Sequence, residues 1–416
     1  MKKLSGLFLT AFIGLFSVSL FLSCSSDSSE ENNKNKEPEP SVDNVESMAR
    51  KLGMGWNLGN QMDAYNNEVA SETAWGNKVA TPALFKKLKA AGISTVRIPV
   101  TWLGQYDAAN GYAIKKEWLD RVAQLVDYAE EAGLNAIINI HHDGGHWLDI
   151  KTASTDVNKN KAVKEQIAAM WQQIATRFAD KGHFLIFEAF NEIHDGGWGW
   201  GENRKDGGKQ YATLNDWNQL FVNTVRSTGG KNTDRWLAVP SYCTNPAYAV
   251  DGSFILPEDA SKRLIVAVHF YDPTDYTLEA KFTEWGHTAA AGKKASWGDE
   301  DNAKSTMEKL KAKWIDNGIP VYIGEMGNVR RDNARDESFR KYYLEYVCKA
   351  AHDCNIAPIY WDNGSADAGR ECSGLFDRAT GEYLNNGGEI VAAMVKGATS
   401  EEKGYTLKSV YDSAPK

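Results

Sequence analysis

The sequence predicts one (β/α)8 barrel, and three observations carry that expectation. Eight short apolar runs recur along the chain, most of them followed by a stretch of helical periodicity. Several of these runs are apolar on both faces, as in parallel strands covered by helices. Polar and titratable residues collect at the ends of the runs, where an α/β barrel places its chemistry.

The predicted strands are residues 53–58, 94–100, 135–140, 184–190, 236–239, 264–270, 321–323 and 358–361. Between the first two, Thr81-Pro82 reads as an N-cap with proline in the first turn, and Gly92 after Ala91 reads as the stop. Residues 117–132 place Leu119, Val122, Leu125, Val126 and Ala129 on one helical stripe. Ile167, Met170, Trp171, Ile174 and Phe178 form the next stripe, and Phe339, Tyr342, Tyr343, Tyr346 and Ala350 a later one. The fifth unit is the weakest, because residues 241–262 leave little room for a regular helix. Eight such units with no strand-only region favour a barrel over a doubly wound sheet. No internal repeat is visible, and no appended binding domain is expected after residues 389–395.

Residues 1–23 read as a targeting segment: Lys2 and Lys3 precede an apolar stretch from Leu7 to Leu22, too short to span a membrane comfortably. It ends in Leu22-Ser23-Cys24, which resembles a bacterial lipoprotein signal in which Cys24 becomes the lipidated first residue. An ordinary signal peptide with an incidental Cys24 is the competing reading. The tether that follows favours the anchor, since residues 24–40 are rich in Ser, Asp, Glu, Asn, Lys and Pro and lack the apolar surface to fold. Asp27, Glu30 and Glu31 resemble surface-export signals of Gram-negative lipoproteins. The expected organisation is signal 1–23, tether 24–40 and catalytic barrel 41–416, in a surface-exposed outer-membrane lipoprotein.

Losing Lys2 and Lys3 takes the net charge from −8 to −10. An acidic surface argues against nucleic acid and suits a neutral glycan. The remaining cysteines, Cys243, Cys348, Cys354 and Cys372, show no Cys-x-x-Cys pair; disulfides are permitted but structural or inert thiols are expected. Fourteen Trp and seventeen Tyr exceed what a core needs and suit a cleft that grips sugars by aromatic faces.

Read in order, the strand ends give Asn57, Arg97, His141 with His142, Asn191 with Glu192, His269 with Tyr271, Glu325, and Trp361. Two carboxylates meeting across a cleft are the minimum equipment for cleaving a glycosidic bond. A lone glutamate after a strand is usually a surface or ion-paired residue, but two in these contexts point to chemistry. His141, His142, Asp143 and His146 invite a metal, yet neighbours on a strand face opposite ways, so no metal is expected. Trp147, Trp198, Trp200 and Trp297 are either sugar platforms or anchors of their own loops.

The motifs Gly55-Trp56-Asn57-Leu58-Gly59-Asn60, Val96-Arg97-Ile98-Pro99, Ile140-His141-His142, Asn191-Glu192, His269-Phe270-Tyr271, Gly324-Glu325-Met326-Gly327 and Tyr360-Trp361-Asp362 resemble glycoside hydrolase family 5. The resemblance spans the chain after the tether, and Trp75-Gly76, His141-His142-Asp143-Gly144 and Trp361-Asp362-Asn363-Gly364 suggest subfamily 4. Ile193 stands where many members have proline and Met326 where phenylalanine is frequent, which blurs subsite shape rather than reaction type.

The resemblance implies a retaining β-1,4-glucanase acting on internal bonds, without a cofactor and expected as a monomer. Glu192 would be the acid/base, with a raised pKa, and Glu325 the nucleophile, kept ionised by Arg97 and a Tyr271 hydrogen bond. Asn191 would hold the sugar 2-hydroxyl, His141 and His269 would orient sugar and carboxylates, and Trp361 would floor the cleavage site. Asn57, Arg97 and His142 complete the expected substrate-binding set. The carboxyl groups should stand about 5–5.5 Å apart. Xyloglucan, mixed-linkage glucan or mannan remain open as substrates. A silent glycan-binding barrel and a metal-dependent hydrolase are the competing classes.

Overall fold

The computed structural model describes residues 44–197 and 205–416. Cys24, the 24–40 tether, Trp198 and Trp200 lie outside the described residues.

Each predicted run contains one strand of a closed parallel barrel. The strands are β1 (Gly55–Leu58), β2 (Thr95–Ile98), β3 (Asn135–Asn139), β4 (Leu185–Glu188), β5 (Leu237–Pro240), β6 (Leu264–Phe270), β7 (Val321–Met326) and β8 (Ala357–Asp362). Neighbours pair in chain order, and β8 returns to β1 with Asn57 opposite Trp361. On the other side Asn57 faces Arg97 of β2. The predicted boundaries err most at β7, which continues three residues further than expected and so carries Glu325 within the strand.

The two-residue period of a strand splits the apolar side chains into two sets. Ile137, Ile186, Ala238, Ile265, Ala267, Tyr322 and Ile359 fill the barrel interior together with Met48 and Leu52. Val96, Ile138, Phe187, Val239, Val266 and Ile323 belong to the larger core shared with the surrounding helices. Both faces are therefore covered, which is why the runs look continuously apolar.

Helix α1 (Val45–Leu52), which the periodicity had not flagged, places Met48 and Leu52 in the interior cluster at the N-terminal end of the strands. Asn44 caps it, with Ser47 completing a reciprocal capping box. Burying each of these two side chains contributes about 1.5–3 kcal/mol.

The outer helices follow the predicted stripes. Helix α2 (Pro82–Ala90) begins after Thr81, whose hydroxyl donates to the carbonyl of Ala379 rather than capping its own helix. Helix α3 (Lys116–Glu131) buries Val122, Leu125, Val126 and Ala129, and α4 (Val157–Arg177) buries Ile167, Met170, Trp171 and Ile174. Helix α5 (Lys209–Ser227) follows β4. After β5 the chain makes only a 3-10 turn and the five-residue α6 (Pro246–Val250), as the short spacing required. Helices α7 (Glu300–Lys313), α8 (Ala334–Asp353) and α9 (Gly387–Thr399) complete the ring. Cys354 ends α8, and all four described cysteines are free thiols, three of them buried.

One irregularity positions the site. The β6–β7 register slips between Val268 and His269, and the β7–β8 register slips between Ile323 and Met326. Gly324 sits at this slip, where a Cβ would lie 3.1 Å from the Tyr322 ring and 3.2 Å from the His269 ring. Any side chain would push one of them aside, so the glycine lets both approach the interior. The slip puts Glu325 opposite His269 and turns its carboxylate toward the barrel mouth, a common use of bulges beside active sites.

Candidate active site

Arg97 is the centre of the arrangement. Its side chain is fully buried, and a buried guanidinium must place all its N–H groups. It does so. Nε donates to Glu188 Oε2 at 2.9 Å and Nη2 to Glu188 Oε1 at 2.6 Å, a two-pronged clamp. Nη2 also donates to Asn191 Oδ1, and Nη1 to Asn57 Oδ1, both at 2.9 Å. The remaining Nη1 hydrogen goes to Glu325 Oε1 at 2.8 Å. Arg97 therefore supports Glu325, as expected, but it is shared with a second carboxylate.

Glu325 accepts its other hydrogen bond from the Tyr271 hydroxyl at 3.0 Å on Oε2. Burial, reinforced by the charges of Glu325 and Glu192, pushes the Tyr271 phenol far above its usual range and keeps it a donor. Across the cleft, Glu192 Oε1 lies 2.6 Å from His269 Nδ1. His269 Nε2 is buried and has no hydrogen-bond partner among the described residues. A proton there would be an unmet donor, so the ring donates from Nδ1 to Glu192. One oxygen from each carboxylate and a His269 nitrogen all lie within 4.8 Å of one another. The nearest oxygens of the two groups thus lie closer than the roughly 6.5–9.5 Å that separates the carboxyl groups of an inverting pair.

The tautomer of His141 follows from its neighbours. Asn139 Oδ1 accepts the Val100 backbone N–H, which fixes the amide so that Nδ2 faces both Glu188 Oε1 and His141 Nδ1. Nδ1 must then accept, and the ring proton sits on Nε2, 3.9 Å from Glu325 Oε1. Burial, with His142 and Arg97 adding positive charge, holds His141 well below its usual pKa, so it remains a neutral donor. Its ring stacks on Trp361 with centroids 5.7 Å apart.

These groups line a cleft of about 1270 Å³. His141, His142, Asn191, Glu192, His269, Tyr271, Glu325 and Trp361 all reach its surface, as the sequence predicted. Asn57 and Arg97 do not: both are fully buried, with Asn57 spent on Arg97 and on the Gly324 and Tyr360 carbonyls. Their placement among groups that touch substrate is corrected to a support layer beneath the carboxylates.

Three further expectations change. Strand alternation was expected to part His141 and His142, but β3 ends at Asn139 and both rings enter the cleft with centroids 4.4 Å apart. Their donors lie near Asp63, whose two oxygens already accept the Asn60 and Gln61 backbone N–H groups. Burial opposes a charged His142, but the Asp63 carboxylate outweighs it and raises the His142 pKa.

The proton polarity of the pair also differs from the expectation. Burial lifts both carboxyls, but for Glu192 the His269 hydrogen bond together with the charges of His269, His194 and His142 outweighs it and lowers the pKa. Glu325 stays raised: burial and the adjacent Glu192 charge together outweigh His269 and Arg97. That is the reverse of the order the reaction requires. Finally, Trp147 is an anchor, its Nε1 bound to Asp143 at 2.6 Å, whereas Trp297 lines the cleft and is half exposed.

Trp75, which lines the cleft beside His142, escaped the sequence reading as a site residue. So did Glu188, Tyr322 and Asn139. A signal existed for two of them: Asn139 and Glu188 interrupt strands expected to be buried on both faces, where a polar group needs a partner.

The family described as Cellulase (glycosyl hydrolase family 5) matches residues 62–367. The chain is a member of glycoside hydrolase family 5. Among its family 5 relatives, Endoglucanase A of Paenibacillus barcinonensis is 38% identical over 367 residues, covering 83% of this chain and 88% of that one. A xyloglucan-specific endo-β-1,4-glucanase of Bacteroides ovatus is 37% identical over 359 residues, covering 82% and 68%. The solved structure of a GH5-4 broad specificity endoglucanase from Bacteroides salanitronis superposes with a TM-score of 0.85 at 58% identity, covering 86% of this chain and 96% of that one. Family 5 membership makes the protein a glycoside hydrolase.

Proposed function

We propose that the protein is a retaining endo-β-1,4-glucanase in which Glu325 is the nucleophile and Glu192 the acid/base. The observation that carries this reading is the pair itself: two carboxylates with an oxygen of each within 4.8 Å, Glu325 held by Arg97 on Oε1 and by Tyr271 on Oε2, and Glu192, among the described residues, held by His269. Two carboxylates this close resist ionising together, so the pair retains one proton over a broad pH range. His269 Nδ1–H occupies Glu192 Oε1, which leaves Oε2 as the place for that proton, free to face a glycosidic oxygen. A bound sugar displaces water and lifts Glu192, while Glu325 keeps its two donors; the polarity then suits the reaction.

In the first step a Glu325 oxygen bonds to the anomeric carbon as the glycosidic bond breaks, and Glu192 gives its proton to the departing oxygen. In the second, Glu192 takes a proton from water, whose oxygen replaces Glu325 at the anomeric carbon. Asn191 gives its carbonyl to Arg97, so its amide nitrogen is the end left to donate to a sugar hydroxyl. Trp361, backed by His141, offers a face to a sugar ring, and Trp75 and Trp297 extend the aromatic walls. The relatives include an endoglucanase, a xyloglucan-specific endo-β-1,4-glucanase and a broad specificity endoglucanase, which supports an open cleft and a β-glucan substrate. Glu192→Gln should lower turnover on cello-oligosaccharides by about 10²–10⁴-fold. It should spare the first step on a dinitrophenyl cellobioside, whose leaving group needs no proton. Steady-state and burst kinetics check this, and equal losses on both substrates would remove Glu192 from the acid role.

We further propose that the chain is a surface lipoprotein anchored through Cys24. The Lys2–Lys3 start, the short apolar stretch and the solvated tether support this. Mass spectrometry of the mature N-terminus should find a diacylglyceryl Cys24; an unmodified terminus elsewhere would overturn the anchor.

A further inference from the structure

We propose that Glu188, buried below the cleft and out of reach of substrate, is a positioning residue that sets the nucleophilic strength of Glu325 through Arg97. This rests on the assignment of Glu325 as nucleophile and adds a tuning element to it. Arg97 is one cation serving two carboxylates, and Glu188 holds it by two hydrogen bonds where Glu325 holds it by one. A buried carboxylate is normally eliminated by selection unless it is fully paired. Glu188 is more than paired: besides Arg97, Oε1 accepts from Asn139 Nδ2 at 2.9 Å and Oε2 from the Tyr322 hydroxyl at 2.5 Å.

Packing alone gives no reason for this charge. Ile137, Ile186, Ile265 and Ile359 pack the layer beneath it with plain hydrocarbon. The consequence of the charge is electrostatic. With Glu188 ionised, Arg97 is largely neutralised before it meets Glu325, so Glu325 is supported without being made too weak a base to attack. Arg97 alone would hold Glu325 as a stable, unreactive anion. Glu188 also fixes the guanidinium plane, which aims Nη1 at Glu325, and through Asn139 it belongs to the network that sets the His141 tautomer.

The groups facing Glu325 are Arg97, Tyr271, His269, His141 and Glu192; those facing Glu188 are Arg97, Tyr322, Asn139 and, at longer range, His269. Arg97 is the only one in direct contact with both, so a change at Glu188 reaches Glu325 mainly through it.

Two variants move the field in opposite senses. Glu188→Gln removes a negative charge, releases Arg97 toward Glu325 and lowers the pH at which Glu325 ionises. Tyr322→Phe leaves the carboxylate but removes a hydroxyl dipole that stabilises it, which raises that pH. The readout is inactivation by 2,4-dinitrophenyl 2-deoxy-2-fluoro-β-cellobioside. A Glu325 oxygen bonds to the anomeric carbon, the bond to the phenolic oxygen breaks, and dinitrophenolate leaves as an anion without a proton. The inactivation rate against pH therefore reports the nucleophile and not Glu192.

The acidic limb should fall by roughly one pH unit in Glu188→Gln, the scale of one charge a few ångströms away at an effective dielectric near 20. It should rise by a smaller amount in Tyr322→Phe, and the maximal inactivation rate in Glu188→Gln should drop about tenfold or more as the nucleophile weakens. Limbs that coincide with the wild type in both variants overturn the proposal and leave Glu188 a purely structural ion. If Glu188→Gln does not fold, the Tyr322→Phe limb decides alone. A wild type that is never labelled at Glu325 would instead overturn the nucleophile assignment on which the proposal stands.

Discussion

Glu325→Ala lowers kcat on an aryl cellobioside by more than about 10⁴-fold, with thermal stability equal to the wild type or slightly higher. The loss is large because, among the described residues, neither neighbouring carboxylate can stand in. Glu188 is locked beneath the cleft by Arg97, Tyr322 and Asn139, and Glu192 lies on the opposite wall bound to His269. The stability half of the expectation follows from what remains. Arg97 keeps Glu188 as its counterion, so no charge is stranded, and Glu192 loses a like-charged neighbour within 4.8 Å. Added azide should partly restore turnover by filling the cavity and attacking the anomeric carbon from the face Glu325 used, giving a product of inverted configuration. Initial rates, product stereochemistry and calorimetry check the three parts. A purified variant with a tenth or more of wild-type turnover would exclude Glu325 as nucleophile.

Arg97→Met has the opposite character, since it damages fold and activity together. Five hydrogen bonds vanish at once, and Glu188 becomes a buried carboxylate with no cation. Removing one partner of a buried ion pair costs about 3–5 kcal/mol, because the other charge keeps its desolvation penalty. Urea denaturation should show a loss of that size, with activity below detection because Glu325 has lost its cation. Arg97→Lys should recover little of either. An ammonium is a single point and cannot clamp Glu188 with two parallel donors while reaching Asn57, Asn191 and Glu325. A stability loss below about 1 kcal/mol in Arg97→Met would mean that Glu188 takes up a proton at little cost, and the cluster would need another explanation.

Much of the site was legible because barrel chemistry falls at strand ends and strand ends can be read from apolar runs. Glu192, Glu325, His269, Tyr271, Asn191 and Trp361 were found this way, and even the Tyr271–Glu325 hydrogen bond was anticipated. His142 was placed in the cleft from its position near a strand end, but the argument that alternation would part it from His141 failed: alternation governs a strand, and the strand ends at Asn139. Asn57 and Arg97 were found but assigned to the wrong layer, since depth along the barrel axis depends on shear between neighbouring strands. The register slips around β7 belong to the same class: they arise from what Gly324 permits when His269 and Tyr322 converge on it.

The sequence by itself determined the barrel, its eight units and the two glutamates proposed as the catalytic pair, because each depends on local periodicity and on residue type at an element's end. Only the tertiary structure decided that Glu188, four residues before Glu192, is buried as a counterion. It alone showed that one arginine serves two acids, and that the histidine beside Glu192 draws that carboxyl below the value expected of an acid. Those outcomes depend on how strands distant in sequence converge inside a closed barrel, where burial and neighbouring charge set each group's protonation. No residue's own identity, and no local pattern, carries that information.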